Sequence, residues 1–155
     1  MTTAAAGAGV VAAYFDAALV AKFYVNEPGR DSVRQVARSA GSVVTSGIAV
    51  AEVVAAFHRK LREGAIDRPV FKALQGQFAH DLDAGLWQLA GPTEALLRDV
   101  QAAFTQLEAS VHLRSLDALH LVTARAEGFT RVYSNDRHLL SACKHFGLAG
   151  VDPTR

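Results

Sequence analysis

The sequence predicts an α/β fold with a mostly parallel sheet, because short apolar segments of strand length alternate with longer segments of helical length. The clearest strand candidates are residues 10–15, 42–45 and 131–133, and a weaker one spans residues 86–89, between Gly85 and Gly91-Pro92. A chain of 155 residues has the length of one domain. We therefore expect a flexible Ala/Gly-rich arm over residues 1–9 and a single domain over residues 10–155.

Seven helical segments are predicted between and after these strands. A short one follows Asp16, and the others span residues 31–39, 48–62, 68–83, 93–110, 116–127 and 136–146. In the 48–62 segment the helical period puts the large apolar side chains on one face and Glu52 on the opposite face, among small alanines. In the 116–127 segment it predicts a buried stripe from Leu116 to Ala126, with Asp117 and His120 on the other side.

Composition and charge exclude several functional classes. The net charge of +1 lacks the strong basic excess of a general nucleic-acid binder, and the single cysteine, Cys143, cannot form an internal disulfide. The apolar N-terminal stretch is interrupted by Asp16 and Lys22, too soon for a membrane span. We therefore expect a cytoplasmic protein with no membrane association.

Four acidic residues are predicted to meet at one edge of the sheet. Parallel strands all end at the same edge, and the helix after each strand begins there. Asp16 directly follows the first strand, and Asp136 follows the 131–133 strand after two residues. Glu52 lies early in the helix after the 42–45 strand. Asp117 lies at the start of a helix that must run down the sheet so that the next strand can run back up.

Each of these aspartates taken singly suits a helix cap or first helical turn, and Glu52 taken singly suits a solvated helix surface. Together, four acids at one edge would repel one another unless cations neutralise them. Carboxylate oxygens at that density are ligands that Mg²⁺ or Mn²⁺ prefers. The sequence contains no Ser-His-Asp or Cys-His spacing for a covalent mechanism. An aspartyl-phosphate hydrolase fits poorly, because the first strand is followed by DAA without a second aspartate.

Four sequence blocks in this order resemble a known family: YFDAALVAKFYVNEPG, TSGIAVAEVVAAFHRK, LRSLDALHLVTARAEGF and VYSNDRHLLSACKHFGL. The chain resembles PIN-domain ribonucleases of the VapC toxin type from about Tyr14 to Pro153, and the third block is the most specific. The resemblance implies a three-layer α/β/α PIN-like domain. It also implies cleavage of RNA with the help of Mg²⁺ or Mn²⁺.

The family's acidic quartet falls on the same four residues, Asp16, Glu52, Asp117 and Asp136. The resemblance implies that the three aspartates are metal ligands and that Glu52 is a ligand or orients a water. Ser134 matches the family's small hydroxyl residue before its last acid. The chain departs from the family pattern at Ala18, where a serine is common and would help to orient a metal-bound water.

RNA approaching an acidic site needs nearby positive charge. The candidates are Lys22, Arg114 and Arg137, each close in sequence to an acid, and Arg59, two turns beyond Glu52. Ordinary solvated surface charges are the competing interpretation. His120 is a candidate for contact with substrate or with an acid, although structural hydrogen bonding is its commoner role.

The resemblance further implies a cognate VapB-like antitoxin that covers the site, and a homodimer. Two functions remain open at this point. One is a metal-dependent endoribonuclease toxin restrained by its antitoxin. The other is a non-catalytic PIN-like module that binds protein or RNA, with Ala18 as the first sign of a decaying site. Intact carboxylates favour the enzyme.

Overall fold

The computed structural model describes residues 11–155. The predicted arm over residues 1–9 lies outside the described residues. Five strands alternate with seven α-helices and one 3₁₀ turn over Cys143–Phe146, in the order β1 Ala12–Tyr14, α1 Ala17–Tyr24, α2 Arg30–Ser39, β2 Ser42–Ser46, α3 Ala49–Arg62, α4 Arg68–Asp83, β3 Trp87–Ala90, α5 Glu94–Gln106, α6 Ser115–Ala126, β4 Arg131–Tyr133, α7 Arg137–Ala142 and β5 Ala149–Val151.

The strands form two parallel groups that meet at Phe15. Strands β1, β2 and β3 pair side by side, with Tyr14 opposite Val44 and Thr45 opposite Leu89. Strands β4 and β5 pair separately, and a parallel bridge between Phe15 and Tyr133 joins the two groups. The strand order is therefore β3-β2-β1-β4-β5, which confirms the predicted parallel sheet and places β1 at its centre.

Helices cover both faces of this sheet, which confirms the three-layer α/β/α architecture. Alternate side chains of β1 point to opposite faces, as the pleat of a strand requires. Phe15 belongs to the core cluster that α1, α2, α3 and α4 share, whereas Tyr14 belongs to the cluster that α5, α6 and α7 share. No helix within residues 11–155 combines the length and hydropathy needed to cross a bilayer.

Several predicted boundaries were wrong by a few residues, and one strand was missed. The α5 helix ends at Gln106 rather than at residue 110, and α7 ends at Ala142, after which the chain tightens into the 3₁₀ turn. Strand β5 was missed because its three residues, Ala-Gly-Val, carry almost no strand signal.

The predicted face of α6 was also wrong in part. Leu116 was expected in the buried stripe but is 41% exposed. Every residue from Asp117 to Ala124 is buried, including those on the side predicted to be polar. This helix is enclosed all round because it packs between the sheet and α5, and Asp117 and His120 are therefore buried polar residues.

Candidate active site

Four segments of the chain bring their acids to the carboxyl edge of the sheet. Asp16 follows β1 and caps α1, and Asp136 follows β4 and caps α7. Glu52 and Asp117 lie in the first turns of α3 and α6. All four line one small cavity of about 70 Å³, together with Ala17, Ala18, Arg114 and His120. The structure therefore brings together the four acids that the sequence selected.

Asp16 is held rigidly at the centre of this cavity. Its side chain is almost fully buried, and its Oδ1 accepts a hydrogen bond from the backbone N–H of Leu19 at 3.0 Å. The hydroxyl of Ser134 donates to Asp16 Oδ2 at 2.5 Å, and the backbone N–H of Asp136 donates to the same Ser134 oxygen at 2.9 Å. Ser134 therefore links the first and last acids through a single hydroxyl group.

The pKa of Asp16 is raised from 3.8 to about 6, chiefly because burial disfavours its charged form, and the nearby Asp117 carboxylate acts in the same direction. His120, the Ser134 hydroxyl and the Leu19 N–H act in the opposite direction, without cancelling the cost of burial. Asp16 is therefore a carboxylate whose ionised form lacks full compensation. A cation beside it would supply the missing stabilisation.

Arg114 is the cation closest to the other two aspartates. Its Nε donates to Asp117 Oδ2 at 2.8 Å, and its Nη2 donates to Asp136 Oδ2 at 3.1 Å. The hydrogen bond and charge of Asp117 raise the pKa of Arg114, and Asp136 and Glu52 add to this effect. The guanidinium thus bridges two acids while most of its side chain stays exposed.

Glu52 is oriented by a buried histidine. Its Oε2 lies 2.8 Å from His120 Nε2, and Nδ1 of the same ring lies 3.0 Å from the hydroxyl of Tyr14. Because an ionised carboxylate can only accept, Nε2 carries a proton in this arrangement. The chain Glu52–His120–Tyr14 connects the first turn of α3 to the central strand through a ring that is 1% exposed.

The donor set suits a hard divalent cation, since it consists of carboxylate oxygens and includes a buried, poorly compensated one. Within residues 11–155, however, no three Asp, Glu, His or Cys side chains converge closely enough to share one ion. Arg114 stands between Asp117 and Asp136 in this arrangement. Holding a metal would therefore require its guanidinium to move aside.

Comparison with known proteins agrees with this fold. The model of the PIN domain family matches residues 13–144, which is most of the chain. The chain belongs to the PIN-domain family. This PIN domain is also 32% identical over 151 residues to ribonuclease VapC46 of Mycobacterium tuberculosis, covering 94% of this chain and 100% of that protein. The predicted resemblance to VapC-type PIN domains is confirmed.

Two solved structures share the fold at low sequence identity. One is the crystal structure of M. tuberculosis VapC20, described as a toxin that cleaves the sarcin-ricin loop, with a TM-score of 0.64 and 14% identity over 83% of this chain and 93% of that one. The other is FitAB bound to a DNA fragment, with a TM-score of 0.64 and 17% identity over 92% and 95% of the two chains. These likenesses support the architecture of this PIN domain.

The basic residues predicted to lie near the acids occupy different positions in the structure. Arg114 reaches the acids, but the Lys22 ammonium lies 3.0 Å from Glu27 Oε1 and donates to the carbonyl of Pro28. Lys22 is only 12% exposed and serves the α1–α2 connection, so the structure does not bring it to the site. Arg137 is exposed at the first position of α7 and does not line the acid cavity.

Sequence reasoning missed one participant, Tyr14, whose hydroxyl contacts His120. A tyrosine inside an apolar strand gives no sign that its hydroxyl serves an active site. The partial signal was His120 itself, three residues after Asp117 on a helix. Ala18 lines the acid cavity without a hydroxyl, at the position where the family often has serine.

Proposed function

We propose that this PIN domain is a metal-dependent endoribonuclease toxin that cleaves RNA phosphodiester bonds. The observation that carries the proposal is the convergence of Asp16, Glu52, Asp117 and Asp136 from four separate segments around one cavity. The chain is also similar over its length to a protein named as a ribonuclease.

The three aspartates would hold Mg²⁺ or Mn²⁺, with Glu52 as a further ligand or as the group that orients the attacking water. A divalent cation in such a site lowers the pKa of a bound water and stabilises charge on the phosphate. Ser134 fixes the position of Asp16 relative to Asp136, because its hydroxyl donates to the carboxylate of Asp16 and accepts from the backbone N–H of Asp136. His120 fixes the direction of the Glu52 carboxylate.

Arg114 would have two positions during this cycle. Without metal its guanidinium pairs with Asp117 and Asp136 and reduces their mutual repulsion. Once a metal neutralises these acids, the side chain is long and exposed enough to turn toward the RNA phosphate. The same residue then offsets the repulsion between the acidic site and its anionic substrate.

A VapB-like antitoxin and a homodimer complete the proposal, on the basis of the similarity to a VapC protein. The acid cavity opens into a wider groove that carries both apolar and charged side chains. A partner that placed a basic side chain against the carboxylates would block metal and RNA together. The absence of such a partner in purified protein is therefore a condition for measuring activity.

Cleavage of total RNA by folded, partner-free protein with Mg²⁺ or Mn²⁺ tests the proposal. We expect discrete fragments that disappear with EDTA and with Asp117→Asn. The matched control is Asp99→Asn, which removes an exposed acid from α5, away from the cavity, and should cut RNA like the parent. Intact RNA with both metals and several RNA pools would refute the enzyme and favour the non-catalytic module.

A further inference from the structure

A larger groove of about 880 Å³ opens beside the acid cavity. One end is formed by Glu52, Arg114 and Asp136, which also line the smaller cavity. The other end is formed by residues of α3 and α4, namely His58, Arg59, Arg62, Phe71 and Gln75. The groove is therefore continuous with the candidate active site and leads away from it along α3.

One stripe of α3 forms the wall of this groove. Glu52, Ala55, Arg59 and Arg62 are three or four residues apart, so they lie on the same side of the helix. At about 1.5 Å per residue the stripe is roughly 15 Å long, which is the span of a few nucleotides. The alanine between the acid and the two arginines keeps the middle of the groove open.

The charge of the groove changes sign along this stripe. Its near end carries Glu52 and Asp136, whereas its far end carries Arg59 and Arg62. Among the described residues neither arginine takes part in a salt bridge, although the neighbouring Lys60 pairs with Glu27 at 2.7 Å. Two exposed guanidinium groups on one wall of a groove are suited to phosphate oxygens.

An aromatic group completes the far end. The half-buried ring of Phe71 packs edge-to-face against the exposed His58 ring, with centroids 6.1 Å apart, and the Arg68 guanidinium lies 6.0 Å from the Phe71 ring. Planar side chains beside basic ones are the usual surface for an unpaired base and its backbone. His58 and Phe71 line the same groove as the two arginines.

We propose that this groove binds single-stranded RNA next to the phosphate that is cut, with Arg59 and Arg62 on backbone phosphates and His58 against a base. The inference rests on the proposed function, because it takes the strand to pass through the acid cavity. The order of charges along the groove favours RNA over a protein partner. An anionic strand would meet the two arginines at the far end of the groove, and its phosphate would need a metal at the acidic near end.

The test measures RNA binding without cleavage. A fluorescently labelled single-stranded RNA of mixed sequence is titrated with protein in EDTA, and anisotropy is followed at several salt concentrations. For single strands, each phosphate contact contributes about 0.7 to the slope of log affinity against log salt. The double variant Arg59→Gln/Arg62→Gln should therefore bind more weakly, with a slope reduced by about 1.4.

Two controls separate the groove from general charge. Arg38→Gln/Arg131→Gln removes the same charge from exposed positions on α2 and β4 and should leave the slope within error of the parent. His58→Ala should weaken binding roughly fivefold or more with an unchanged slope, because it removes a stacking contact rather than a charge. Circular dichroism confirms that each variant is folded.

Equal slopes for the two double variants would overturn the inference, as would a groove variant that keeps its RNA affinity but loses binding to a protein partner. The outcome is independent of catalysis. Protein that binds RNA through the groove but never cuts it would refute the proposed enzyme and keep the binding site. Parent protein that cuts RNA, together with groove variants that bind RNA as tightly as the parent, would refute the binding site and keep the proposed enzyme.

Discussion

Arg114 and Asp136 lie 22 residues apart in the chain, yet the Arg114 Nη2 atom donates to Asp136 Oδ2 at 3.1 Å. The same guanidinium holds Asp117 through its Nε. One flexible side chain thus occupies the space between two acids that are proposed to share a metal. Metal binding at this place would therefore compete with the Arg114 ion pairs.

Replacing Arg114 by glutamine should strengthen Mn²⁺ binding, because the metal no longer has to displace a guanidinium. The expected gain is up to about fivefold, since ion pairs at exposed positions contribute about 1 kcal/mol or less. Isothermal titration calorimetry in the absence of RNA measures it. Arg98→Gln, which removes an exposed pair with Glu94 on α5, should leave Mn²⁺ affinity unchanged. Weaker binding by Arg114→Gln would mean that Arg114 holds the carboxylates in place for the metal.

The stability of the metal-free protein should depend on pH through Asp16. Its pKa is about 6 in the folded protein and 3.8 ordinarily, so the folded state binds more protons than the unfolded state between these values. The contribution of Asp16 to the free energy of unfolding is therefore fully present below about pH 4 and is lost as the pH rises through 6. The full difference in pKa corresponds to roughly 3 kcal/mol.

The variant Asp16→Asn should remove this loss, because the amide stays neutral. In urea unfolding with EDTA, the free energy of unfolding of the variant should rise relative to that of the parent between pH 4 and 7. Below pH 4 the difference between the two should stay constant. Adding Mn²⁺ at pH 7 should stabilise the parent more than the variant. A constant difference across this range would show that Asp16 titrates normally.

The position of the acids could be predicted from sequence, whereas their partners could not. A parallel sheet fixes which end of each strand faces the site, so the backbone alone brings Asp16 and Asp136 together. The contact of Arg114 with two acids depends on side-chain torsions that no periodicity encodes. Tyr14 looked like an ordinary core residue, and Lys22 looked available because the ion pair with Glu27 crosses a loop whose path the sequence does not reveal.

Removing the Tyr14 hydroxyl should destabilise the fold and loosen Glu52. Tyr14→Phe leaves His120 Nδ1 without its hydroxyl contact inside a buried region, which costs about 1–3 kcal/mol of unfolding free energy. Chemical denaturation measures this loss. Tyr133→Phe is the matched control, since within residues 11–155 the Tyr133 hydroxyl has no hydrogen-bonded side-chain partner. Equal losses in the two variants would argue against a special role for the Tyr14–His120 contact.

Gly47 should tolerate no side chain. A Cβ at this position, just after β2, would lie 2.1 Å from the carbonyl oxygen of Gly91, so the two backbones approach too closely for alanine. Gly47→Ala should lose about 1–3 kcal/mol of unfolding free energy, as overpacked sites do. Gly76→Ala is the control, because a Cβ there meets open space on α4. Gly76→Ala should gain about 0.5–1 kcal/mol of unfolding free energy, because alanine is a better helix former than glycine. An unchanged unfolding free energy for Gly47→Ala would show that the turn can move to make room for the side chain.

The pairing of β4 with β5 has a consequence for the order in which the site can appear during synthesis. The backbone N–H of Ser134 donates to the carbonyl of Val151 at 3.0 Å, so the last strand holds the segment that carries Ser134 and Asp136. On the ribosome all four acids can have emerged once Asp136 is out of the exit tunnel, but β5 cannot pair with β4 until residue 151 has also emerged. Under the proposed function, translation products that stop before β5 are therefore expected to cut RNA poorly, because the segment with Ser134 and Asp136 lacks this support.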